Sequence, residues 1–173
     1  MSRSLGNVIA DSLELCLSYA ERLLKDVQPE QFGRFAVVNG QGIESNHPAF
    51  VYGHLCLYGP RILSMFGQPG PDVPEGFEAL FSKDAKCVDD PKGTIYPAMA
   101  EVTKAYFDGY KAALATLRSL PDDAFQAVNP LGGRMTDLFP TLGSLHAFYC
   151  GGHMMMHLGQ VSAWRRMMNL GAA

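Results

Sequence analysis

Two histidines four residues apart, His153 and His157, lie in the stretch GGHMMMHLGQ at residues 151 to 160. Each residue of an α-helix advances about 100°, so positions four apart share a face, one turn apart. Two imidazoles placed in this way can reach one atom between them, and a helix offers two nitrogen ligands to a divalent metal by this spacing. The protease form of the pattern, H-E-x-x-H, carries a glutamate as general base. Met154 holds that position here, so the carboxylate that would activate water is missing and the metalloprotease reading fails.

Two ligands do not complete a site, and the rest must come from other helices. His54 leads the candidates: it lies three after Val51 and four before Tyr58, within or beside the apolar stripe of its own segment. A neutral imidazole there needs a partner, and three facing imidazoles would leave a metal with an open position. The plainer reading of each histidine is a hydrogen-bonded core residue, and spacing alone does not choose. His146 shares the face of His153 but lies about 10 Å along the axis at 1.5 Å per residue, too far for the same metal; it pairs with another group or borders the pocket. His47 sits at a helix start and reads as a cap or a surface residue. Gln160, three after His157, could orient an imidazole through a hydrogen bond or simply pack between helices. Tyr58, one turn from His54, lines the pocket or the core. Cys150 could approach the edge of the site. The methionines at 154, 155, 156, 167 and 168 would suit soft Cu(I), but methionine fills irregular cores more often.

The elements that must position these side chains follow from apolar periodicity. Leu5, Ile9, Leu13, Cys16, Ala20 and Leu23 mark a first helix over about residues 4 to 27. Residues 28 to 46 read as irregular. Pro48 suits the first turn of a second helix, with Ser45, Asn46 or His47 as cap; Val51, Leu55, Tyr58, Ile62 and Phe66 carry it. Residues 67 to 96 form a long proline-rich connection with one helical turn near Phe77 to Phe81; connections this long are often functional or run the length of a bundle. A third helix spans about Pro97 to Leu120, Pro121 to Asp123 open a turn, and NPLGGR at 129 to 134 reads as a loop or small hairpin. The fourth and longest helix runs from about Leu138 to Asn169, with Leu142, Leu145, Tyr149, His153, Met156, Gln160, Trp164 and Met167 inward. Its glycines at 143, 151, 152 and 159 each cost about 1 kcal/mol of helix stability relative to alanine, which close approach of a neighbouring helix, a ligand or a second copy would offset. The expected fold is all-α, a four-helix bundle with long 1–2 and 2–3 connections, in one domain spanning residues 1 to 173.

Composition bounds the rest. The chain has 173 residues, 47% of them apolar, and a net charge of −3, which suits a globular protein with a real core. No basic block points to nucleic acid, and no apolar run approaches the ~20 residues that a spanning helix needs. Asp11 and Glu14 interrupt any signal-like apolar region, so a cytoplasmic setting is expected. Cys16, Cys56, Cys87 and Cys150 show no C-x-x-C spacing and read as free thiols.

Taken together, NHPAFVYGHL in the second helix, HMMMHLGQ in the fourth and WRRMMNLG after it resemble the DinB/YfiT-like superfamily of metal-dependent four-helix bundles. The resemblance covers nearly the whole chain. It implies a metal triad of His54, His153 and His157 on a divalent ion, zinc or nickel, and a homodimer. Two positions depart from the family pattern: Phe50 stands where a tryptophan is common, and Leu158 stands where an arginine often precedes the G-Q pair, a change that would reach the pocket rim. The resemblance further implies a low-molecular-weight-thiol S-transferase or isomerase acting on a small electrophile, the metal favouring the thiolate. Two alternatives stay open. One is a metal-dependent hydrolase, for which Glu44, His47 or Asp137 would have to act as base. The other is a non-catalytic protein that binds a metal or small ligand. The absence of charge on the inner stripe around the triad favours thiol transfer over hydrolysis.

Overall fold

The computed structural model describes residues 3–173, and the chain is mainly helical. Ser4 starts α1, Leu5–Leu23, by accepting the Asn7 N–H, and Ile9, Leu13, Cys16, Ala20 and Leu23 are buried along one face. The helix ends four residues before the expected Val27, in a turn where Asp26 takes a positive φ of 64°. The stretch expected to be irregular holds a short helix α2, Pro29–Phe32, and a hairpin of β1, Ala36–Val38, with β2, Gln41–Ile43. The strands are antiparallel, Ala36 opposite Ile43. Asn39 and Gly40 turn the hairpin at φ 52° and 80°, the left-handed pair that a two-residue loop requires.

The second helix expected from the sequence is two helices, α3, Pro48–Cys56, and α4, Tyr58–Met65. Pro60 explains the break: it has no N–H for the Cys56 carbonyl, and its ring crowds that carbonyl. The Leu57 N–H bonds the His54 carbonyl at 3.3 Å, tightening the turn. In the long connection, α5, Phe77–Phe81, is the anticipated helical turn. Next come α6, Met99–Ser119, and a 3₁₀ turn, Asp122–Gln126. A further helix, α7, Gly133–Leu138, occupies part of the stretch expected to be loop.

The last helical stretch starts at Leu142 rather than Leu138 and is not continuous. It consists of α8, Leu142–Ala147, a π-helical turn, Phe148–His153, and α9, Met154–Met167. A π turn is wider than an α turn, so it shifts the phase of everything after it. Before it, Leu142, Leu145 and His146 are buried; within it, Cys150 and His153 are; after it, Met154, Leu158, Val161 and Trp164 are. The expected inward stripe therefore fails at Met156, which is 57% exposed.

One contiguous core joins these elements. α6 packs against α1, α3 and α4, while α9 packs against α1 and α3, and the π turn lies on α1. Tyr52 Oη donates to the Ala20 carbonyl at 2.6 Å, and Tyr106 Oη contacts Met154 Sδ at 3.4 Å. Arg165, 2% exposed, lies on the inward face of α9. Its guanidinium donates to the carbonyls of Leu23, Lys25 and Leu170, so a buried cation closes the C-terminal end of α1. α4 and α6 touch backbone to backbone: a Cβ on Gly59 would lie 2.6 Å from the Gly109 carbonyl carbon. The expected close approaches in the last helical stretch occur at Gly143, against Phe125, and Gly151, against Ser12, but Gly159 has nothing within 4 Å of its Cβ position.

Gly59→Ala should therefore lower the unfolding free energy by about 2 kcal/mol, because backbone cannot yield as a side chain can. Gly159→Ala should raise it by roughly 0.5–1 kcal/mol, the helix-propensity gain alone. Urea denaturation of both variants checks this, and equal effects would contradict the close α4–α6 contact.

Candidate metal centre

α3 brings His54 to the two histidines at the π-turn–α9 junction. The ring centroids are 5.5 Å apart for His54–His153, 4.8 Å for His54–His157 and 4.7 Å for His153–His157. One nitrogen from each ring lies within 4.8 Å of the others, so the triad could hold a metal ion.

The outer ring nitrogens show which tautomers are present. His54 Nδ1 lies 2.8 Å from the Phe81 carbonyl. A carbonyl only accepts, so Nδ1 carries the proton and Nε2 keeps its lone pair. His157 Nδ1 lies 3.1 Å from Gln160 Oε1, and the same logic applies. Gln160 Oε1 also accepts from Asn46 Nδ2 at 3.1 Å, which ties α9 to the loop before α3. His153 differs: its Nδ1 is buried with no hydrogen-bond partner, and aromatic rings hold it instead, with Tyr58 at 4.5 Å, Phe148 at 5.6 Å and Tyr149 at 5.7 Å.

Burial lowers the pKa of all three imidazoles. His153 falls to about 3, with His157 and His54 adding to the effect of burial. Burial outweighs the raising effect of Phe81 on His54 and of Gln160 on His157. The three are neutral at pH 7, the state in which imidazole binds metal. The donor set thus suits a divalent cation: neutral nitrogens converge, and two of the three rings are oriented by outer hydrogen bonds.

The triad forms part of the lining of a cavity of about 540 Å³. Phe35, Phe50 and Tyr58 supply apolar wall; Glu44, Ser45 and Asn46 form one polar side, and Ser82, Lys83, Lys86 and Cys87 another. The second polar side comes from the long connection. It is pinned where Phe81 accepts from His54 and where the Val88 carbonyl accepts from His47 Nε2 at 2.9 Å. His47 also caps α3, its Nδ1 accepting the Phe50 N–H. It is fully buried, so the surface reading of this residue does not hold.

The other candidates fall in different places. Glu44 is exposed and lines the cavity, whereas Asp137 is exposed on α7, away from it. Leu158 is fully buried in the core, so the departure from the family pattern there does not reach the cavity rim. Cys150 is fully buried, with a thiol pKa pushed up by burial, and does not line the cavity. His146 is fully buried beside Phe66, ring centroids 4.9 Å apart, and neither of its nitrogens has a partner. It neither pairs with a polar group nor lines the cavity.

No family model, curated protein or solved structure matches the chain. Lys83, Lys86, Phe35 and the Asn46–Gln160 contact have no counterpart in the sequence reading, since they depend on folding the long connection and the hairpin back over α3. The N-G pair at 39 and 40 is the one local signal that could have revealed the hairpin.

Burial lowers the His146 pKa from 6.5 to about 4. Its neutral form is favoured in the fold, so the associated stability is complete above about pH 6.5 and is lost as pH falls toward 4. Its share of the loss at pH 5 is about 2 kcal/mol. Urea denaturation at pH 7 and pH 5 should show His146→Leu losing less stability than wild type by about that amount; an unchanged difference would contradict a neutral buried His146.

Proposed function

We propose that the chain is a four-helix bundle of the DinB/YfiT-like type that holds a divalent metal, zinc or nickel, on His54, His153 and His157 and acts as a low-molecular-weight-thiol S-transferase or isomerase. The convergence of three neutral imidazoles on one side of a small-molecule-sized cavity carries this reading. When bound, the metal supplies a positive charge that lowers the pKa of a thiol beside it. The protein's own residues do the rest. Phe81 and Gln160 orient His54 and His157, so that both Nε2 lone pairs stay available. Phe35, Phe50 and Tyr58 exclude water from one side of the cavity and offer apolar surface to the electrophile. The protein's cysteines are poor substitutes for an external thiol: Cys16, Cys56 and Cys150 are buried, and burial raises the Cys87 thiol to about 11.

A hydrolase remains the second reading because Glu44, a carboxylate able to act as base, lines the same cavity. It predicts cleavage of an ester or amide without added thiol and a large loss of that activity in Glu44→Gln.

Elemental mass spectrometry on untagged protein, purified without chelator or added metal, should find about one equivalent of divalent metal per chain. His54→Ala should lose it. A wild type that is empty and takes up neither zinc nor nickel would reduce the histidines to core residues. With metal present, turnover of a small electrophile only when a low-molecular-weight thiol is added supports the transferase. A loaded protein inactive with and without thiol would leave a binding role. Sedimentation would read the homodimer that this family reading implies.

A further inference from the structure

We infer that the cavity selects a small thiol that bears a carboxylate, its sulfur toward the histidine triad and its carboxylate toward Lys83 and Lys86. This rests on the metal reading above and names the ligand class of that site.

The charge around the cavity is one-sided. Lys83 and Lys86 line it against a single acid, Glu44. Imidazole binds a metal as a neutral ligand, so the triad would cancel none of the charge of a bound dication. A neutral thiol would leave two ammonium groups and a dication on the same cavity, offset by Glu44 on its lining and by Asp84 beside Lys83. A ligand carrying its own carboxylate relieves this repulsion, and a cationic ligand worsens it.

The lysines are available and their segment is held. Lys86 has no ion-pair partner among the described residues. Lys83 pairs only with its neighbour Asp84, in a contact where both side chains are 78% exposed; such pairs are weak and exchange readily. Both lysines lie between Phe81, bonded to His54, and Val88, bonded to His47. The strand of chain that carries them therefore starts at the group that orients one metal ligand. Phe35, Phe50 and Tyr58 on the same cavity suit a short hydrocarbon spacer between sulfur and carboxylate.

The test uses the full chain loaded with Co(II), whose sulfur-to-metal charge-transfer band reports thiolate binding. Three thiols differ only in their far end: 3-mercaptopropionate, 2-mercaptoethanol and cysteamine. The expected order of affinity is carboxylate, then alcohol, then ammonium, with roughly threefold between the first two, the scale of one exposed ion pair. Replacing both lysines, Lys83→Ala with Lys86→Ala, should keep the cobalt content and remove most of that preference. A flat or reversed series with cobalt bound would overturn the inference and leave the metal reading intact. A preference that survives in the double variant would also overturn it, since the carboxylate would then be meeting the metal rather than the lysines. Failure of wild type to bind cobalt would overturn both readings.

Discussion

The hydrogen bond from His54 Nδ1 to the Phe81 carbonyl holds two parts of the molecule at once. It fixes the proton of a core imidazole on the outer nitrogen, so the inner lone pair faces His153 and His157. It also fastens the end of α5 to α3, and the chain that leaves α5 becomes a wall of the cavity. The contact from His157 through Gln160 to Asn46 does the same for the other polar side, joining α9 to the loop that follows the hairpin. Ligand orientation and cavity shape are therefore set by the same bonds, and a change in either wall is felt at a ring nitrogen.

His153 stands apart from this scheme. It is the last residue of the π turn, and its outer nitrogen is buried without a partner. An unpaired buried polar atom is costly. Its position follows from backbone geometry and from the aromatic rings around it rather than from a polar anchor. The wide turn lets Leu145 and Cys150, five residues apart, both face the core while His153 reaches the cavity. π turns are frequent at functional sites for this reason: they re-aim side chains without ending the helix.

Much of this was readable in the amino-acid order, and the exceptions have physical causes. The i, i+4 pair at 153 and 157 and the inward position of His54 follow from helical periodicity, which reports local geometry well. Periodicity assumes a constant turn, so it could not show the break at Leu57, although Pro60 was a visible warning, or the phase shift at residues 148 to 153. No periodic pattern marks Arg165 as buried; its burial depends on three carbonyls, one from the last residue of α1, one from the turn after it and one from Leu170. The cavity wall at 82 to 87 is set by tertiary contacts of a connection with no periodic pattern. The hairpin had a local signal in Asn39-Gly40, but its strands are three residues each, too short to show alternation.

The Arg165 clasp also bears on how the fold is reached. Its partners Leu23 and Lys25 lie 142 and 140 positions away along the chain. Helices form from neighbouring residues in microseconds, but a contact of this span requires most of the polypeptide to be gathered first. The desolvation of the guanidinium is compensated only when α1 and α9 are both in place. Joining these two helices therefore closes a loop of most of the chain, an entropic cost that helix growth alone does not carry.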